Sequence, residues 1–119
     1  VEAYYRKDLS KRLTLSAINS SKQFFSGIGL NTGIDGQSFD DYLNDINGNN
    51  DLSNNIINKL TAAEEKINTL DHNFTLQMST DNTKMVEAYD ALQKVVVYLK
   101  TDMLISLSIT VDYADADGD

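Results

Sequence analysis

Three carboxylates close the chain at every second position. Asp115, Asp117 and Asp119, with Gly118 before the last, have the oxygen-rich spacing with which a calcium loop begins. An EF-hand loop takes oxygen ligands at positions 1, 3 and 5, glycine at 6 and a bidentate Glu at 12. Aligning Gly118 with position 6 puts Tyr113 at position 1 and leaves position 12 beyond Asp119. With the first and last ligands missing, the three aspartates are weak cation candidates and read more simply as a solvated acidic terminus. At the other end, Glu2 and Tyr5 are three residues apart and would share a helix face. With Tyr4 they would offer phenol oxygens and a carboxylate to a cleft, or else form a helix start with packed tyrosines.

The remaining candidates are less complete. His72 is the one histidine, whereas zinc sites take several His or Cys ligands and a triad needs a placed nucleophile and acid. It reads as a partly exposed loop residue. Gly27, Gly29, Gly33 and Gly36 do not follow a strand and form no phosphate-binding fingerprint. No serine is followed by lysine three positions on (Ser10 is followed there by Leu13), which removes serine–lysine acyl-enzyme chemistry. The absence of cysteine removes disulfides, thiolate metal sites and cysteine nucleophiles. Seven asparagines between Asn44 and Asn58 serve turns and caps better than a ligand. No complete catalytic set is left, so the chain by itself reads as non-catalytic.

The elements that must position these residues are helical. With no proline in 119 residues, nothing forces a helix to break. A first helix is expected from about Glu2 to Phe25, with Leu9, Leu13, Ala17 and Ser21 four apart on one face and Ile18 and Phe25 beside them. Gly27 and Gly29 end it, and residues 26–37 form a loop. Ser38-Phe-Asp-Asp41 is a capping box with Asp in place of Glu, opening a short helix through Ile46 with Phe39, Tyr42, Leu43 and Ile46 as its apolar face. Leu52, Ile56, Leu60, Ala63, Ile67 and Leu70 then follow a near-heptad seam. Asp71 to Phe74 reads as non-helical. A last helix, capped by Thr80 or Asp81, carries Met85, Tyr89, Leu92, Val96, Leu99 and Met103, with Val95 and Val97 widening the stripe, and is expected to be the most buried. From Leu107 to Tyr113 apolar and polar residues alternate, which predicts a short extended closure with Leu107, Ile109, Val111 and Tyr113 pinned to the bundle.

The expected fold is therefore all-α: an antiparallel helical bundle of three long helices and one short helix, with a short extended C-terminal segment. Residues 1–119 make a single domain of this kind. The net charge of −8 is unevenly spread: residues 23–58 hold five Asp and no Lys or Arg. Arg6, Lys7, Lys11 and Arg12 are the one basic patch and read as a solvated face, so nucleic acid is not an expected partner. No stretch approaches the roughly 18–20 apolar residues of a transmembrane helix. The chain opens on Val1, without a signal-peptide pattern, and reads as a processed product, a cloned domain or a fragment.

Four segments in order resemble the C-terminal half of an imelysin-like protein. Val1-Glu-Ala-Tyr-Tyr5 is similar to the Glu-x-x-Tyr/Phe segment that opens that half. Leu9 to Gly27 is similar to the next helix, which ends in an aromatic residue and glycine. Gln37 to Leu43 with Asn50-Asp-Leu52 resembles the short helix and the start of its successor, and Leu104 to Asp119 the closing segment with its Asp-Gly-Asp end. The family's prolines before Phe are absent at Asp71-His-Asn-Phe74, and its Gly-x-His-x-x-Glu motif, which belongs to the other half, has no counterpart here.

The resemblance implies half of a cell-envelope protein of Gram-negative bacteria, periplasmic or an outer-membrane lipoprotein anchored upstream, concerned with iron or metal acquisition. It implies two related bundles with a site between them, faced on this side by Glu2 and Tyr5, and a divalent or iron ion held together with the N-terminal half, the expected partner. Two alternatives stand beside it. One is a metal-dependent peptidase whose site is shared with that N-terminal half; the other is a helical interaction module with an unfilled apolar face.

Overall fold

The apolar repeats fold as helices in the computed structural model, which describes residues 5–110. They are α1 (Ser10–Phe25), α2 (Phe39–Asn47), α3 (Asp51–Asn68), α4 (Phe74–Thr80) and α5 (Asn82–Val97). A π-helical stretch, Tyr98–Met103, continues α5 into a last α-helical turn, Leu104–Ser106. Among the described residues there is no strand, only one bridge between Ile28 and Asp35. The expected all-α bundle is what forms.

Cross-helix pairs fix the directions. Lys11 Nζ donates to the carbonyls of Asn68 and Leu70, while Lys22, further along α1, meets Glu64, earlier in α3. Lys66 meets Glu87, whereas Lys59 lies over the Tyr98 ring. In both sets, advancing along one helix means retreating along the other, so α1 and α5 each run antiparallel to α3.

The seam read from α3 is the buried one: Ile56, Leu60, Ala63, Ile67 and Leu70 are all in the core. This helix touches α1, α2, α5 and the π-helical stretch, which makes α3 the central element rather than α5 as expected. In α5 the buried line shifts by one residue at Ala88 and, further on, follows the edge of the stripe that Val95 widened. Ala88 and Val95 point inward, and Tyr89 and Val96 stand exposed. Small residues, Ala63 and Ala88, occupy the inner line of both helices, leaving no room there for a tyrosine.

Helix α1 also departs from expectation. A 3₁₀ turn, Lys7–Leu9, precedes it, and Arg6 has the non-helical φ of −130°. The Arg6 guanidinium donates to both Asp8 oxygens at 3.1 and 3.0 Å, across a two-residue spacing that a helix would turn apart. That pair raises the Arg6 pKa and holds the Asp8 carboxyl below its ordinary range, first through the hydrogen bond. Within α1 the buried residues are Ser10, Ile18 and Phe25, while Leu13, Ala17 and Ser21 of the expected face are exposed. This rotation packs Leu15, Ile18 and Phe25 on the core and leaves Lys11 and Lys22 to bond groups at α3.

Two further differences concern short elements. Phe74–Thr80 is helical, capped by Asn73, whose side chain accepts from the Leu76 N–H. Gln77 makes this short helix worthwhile. Its side chain accepts from the Asp71 N–H and donates to the Asp81 carbonyl, both at 2.7 Å, clipping the α3–α5 connection at each end. Gln77→Met keeps the volume but strands both backbone groups, and should cost about 2 kcal/mol in urea unfolding. An unmoved midpoint would mean that water satisfies them.

The C-terminal closure starts as a helix cap, not as a strand. Ser108 takes φ 56°, its N–H bonds the Ile105 carbonyl, and the Ile109 N–H bonds that of Leu104, the Schellman pattern with serine in the usual glycine position. Ile109 is exposed rather than pinned. Val111 and Tyr113 lie outside the described residues.

Candidate interaction surface

Helix α1 ends on two phenylalanines, whose side chains leave the helix about 100° apart. Phe25 enters the core; Phe24 is left 73% exposed. The helix stops in a second Schellman motif, with the Gly27 N–H reaching the Phe24 carbonyl and the Ile28 N–H that of Gln23. Gly27 sits at φ 69°. The chain then doubles back: Gly29 N–H donates to the Ile34 carbonyl and Gly36 N–H to that of Gly27.

This return places Ser38 at the start of α2. Its hydroxyl accepts from the Asp41 N–H, and the Asp41 carboxylate accepts from the Ser38 N–H and Oγ, the capping box read from the sequence. The cap aims Phe39 at Phe24, with ring centroids 5.5 Å apart and planes tilted by 54°. A groove of about 580 Å³ follows, lined by Phe24, Gln37, Ser38, Phe39, Asp41, Tyr42 and Asp45.

Of the apolar face expected on α2, only Leu43 is buried; Phe39 is 38% and Tyr42 57% exposed, and Ile46 also faces out. Below them Asn44 ties α2 to α3 through the Ser53 hydroxyl, and Asn47 accepts from Ser106 Oγ. These two asparagines join helices rather than cap them; the expected turn role falls to Asn49, whose side chain accepts from the Asp51 N–H.

The residues singled out from sequence fall elsewhere. Glu2 and Tyr4 lie outside the described residues, as do Asp115, Asp117 and Asp119. Tyr5 is 91% exposed and precedes the first helix, so the helix face it was expected to share with Glu2 is not formed at its position. His72 is an exposed loop residue whose carbonyl accepts from the Lys11 N–H. The described residues contain no group of three or more His, Cys, Asp or Glu able to hold a metal ion. No helix among them is long and apolar enough to cross a membrane.

Sequence reasoning placed Phe39 and Tyr42 in the core and passed over Phe24 and Asp45. The available signal was the Phe24–Phe25 doublet followed by an aromatic pair, Phe39 and Tyr42, inside a stretch with no base. No protein family, curated protein or solved structure matches this chain.

Proposed function

We propose that this bundle is a helical interaction module that docks a partner protein through the aromatic groove between α1 and α2. One observation carries the reading: Phe24, Phe39 and Tyr42 are gathered on a built surface and left in solvent. Capping box, Schellman turn and loop return all serve to hold them there. Isolated exposed apolar residues are ordinary on soluble proteins, but a gathered aromatic set rimmed by polar groups marks contact surfaces. The test is selection of 12-residue peptides from a displayed random library on the whole chain, repeated on Phe24→Ala and Tyr42→Ala. The reading fails if no peptide is retained whose binding either substitution weakens.

The ordered resemblance to imelysin-like proteins supports a second reading, in which this bundle is the C-terminal half of an iron-uptake protein of the bacterial envelope. The segments that carry the likeness, Leu9 to Gly27 and Gln37 to Leu43, fold here as a helix with its stop and a cap with its helix. The described residues do not fit a metal site of their own, so a metal, and peptidase chemistry with it, would depend on residues outside them. Reading the sequence encoded upstream of Val1 decides this: a region without a helical half bearing Gly-x-His-x-x-Glu would remove it.

A further inference from the structure

The groove carries a charge signature that narrows its partner. Residues 23–58 hold Asp35, Asp40, Asp41, Asp45 and Asp51 and no Lys or Arg. The four ion pairs among the described residues are Arg6–Asp8, Lys22–Glu64, Lys66–Glu87 and Lys84–Asp81, so none reaches these five acids. Asp40 is met by the Asn44 amide and Asp41 by Ser38. Among the described residues, Asp45 has no hydrogen-bonding or ionic partner.

Asp41 and Asp45 are one helical turn apart, and both line the groove with Tyr42 between them in sequence. Two independent physical effects therefore point the same way. The uncompensated carboxylates attract a cation, and so do the exposed ring faces of Phe24, Phe39 and Tyr42. The apolar floor adds a preference for a large hydrophobic side chain beside that cation.

Building on the interaction reading above, we infer that the groove binds a basic peptide segment of another protein, with an aromatic or large aliphatic residue flanked by Lys or Arg. A second copy of this chain is a poorer occupant. At a net charge of −8 the copies repel. Of the chain's ten bases, five are engaged within the chain: Arg6, Lys22, Lys66 and Lys84 with acids, and Lys11 with carbonyls at the end of α3.

The peptide selection described above separates the possibilities. The expected pool is enriched in Lys or Arg adjacent to Trp, Phe or Leu. A selected peptide should lose about 3-fold in affinity on Asp45→Asn, about 10-fold on Asp45→Lys, and about 30-fold on Phe24→Ala. Its affinity should fall as salt is raised from 0.05 to 0.5 M, values chosen to shorten the screening length several-fold, from about 14 to about 4 Å. Asp45 and Phe24 are exposed, and circular dichroism melting should show these variants folded. Neutral peptides that need Phe24 but ignore Asp45 and salt would overturn the basic-partner inference while sparing the interaction reading. Self-association of the chain through the groove would likewise overturn it, and an empty selection would overturn both.

Discussion

Gly27→Ala should be the most damaging single-methyl change in the loop that builds the groove, costing about 3 kcal/mol or more. Two effects add. At φ 69° an L-residue gives up roughly 1–2 kcal/mol relative to glycine. The new Cβ would also lie 2.3 Å from the Gly36 carbonyl oxygen and 2.8 Å from Ser38 Cβ. The first of these is backbone, and neither is the end of a flexible chain, so the loop must open to admit the methyl. Gly33 supplies the control. It has φ 63° but nothing within 4 Å of an added Cβ, so Gly33→Ala should cost only about 1 kcal/mol. Urea unfolding of the two variants against the parent measures the difference. Equal costs would show that the Gly27–Gly36 contact gives way easily. Because that contact brings Ser38 back to Phe24, the Gly27 variant should also lose groove binding beyond what its stability loss explains.

Where chain-local chemistry decides the outcome, the sequence was readable. Ser38 with Asp41 makes its capping box, Asp81 accepts from the Thr83 N–H, and Gly27 ends α1, each because the residues involved lie within four positions of one another. The α3 seam was equally legible, since that helix is surrounded and any apolar repeat on it must be core. Orientation was not legible. The inward side of α1 is settled by partners far along the chain: Leu15, Ile18 and Phe25 meet the shared core, and Lys11 meets carbonyls at Asn68 and Leu70, about sixty positions away. Likewise Tyr89 fits the α5 repeat as well as Ala88 does, and the choice falls to packing against α3. Helix α4 was hidden because Gln77, its one buried residue, is polar, so no apolar period announces it.

The same distinction explains why the candidate surface escaped a search for chemistry. Catalytic and metal sites announce themselves by residue type, and here type led to Glu2, His72 and the closing aspartates. Of these only His72 lies among the described residues, and it joins no metal-holding cluster there. A docking surface is made of ordinary core residues that the fold declines to bury. Phe39 and Tyr42 were expected on the core-facing stripe of α2, but this helix is only nine residues long and buries Leu43 alone. Phe39 meets the Phe24 ring instead, and Tyr42 lines the same groove.

Leu43→Ala should therefore do two things at once. Leu43 is 0% exposed and is the one buried residue of α2. Removing its side chain leaves a cavity and should cost about 3 kcal/mol, within the 2–5 kcal/mol usual for buried leucine. The remaining side-chain ties of α2 are the half-exposed Phe39–Phe24 ring contact and two polar contacts, Asn44 with Ser53 and Asn47 with Ser106, the latter each worth about 1 kcal/mol net. They cannot replace the lost anchor. The loss should accordingly appear first as local release of α2, with amides of residues 39–47 exchanging well before those of α3. Groove binding should fall with it, although Phe24, Phe39, Tyr42 and Asp45 are all untouched. Ile46→Ala, on the exposed side of the same helix, should change stability by no more than about 0.5 kcal/mol. Hydrogen exchange read by mass spectrometry distinguishes the outcomes. If residues 39–47 and α3 lost protection together in the Leu43 variant, α2 would be part of one cooperative core, and the groove would be as rigid as the bundle beneath it.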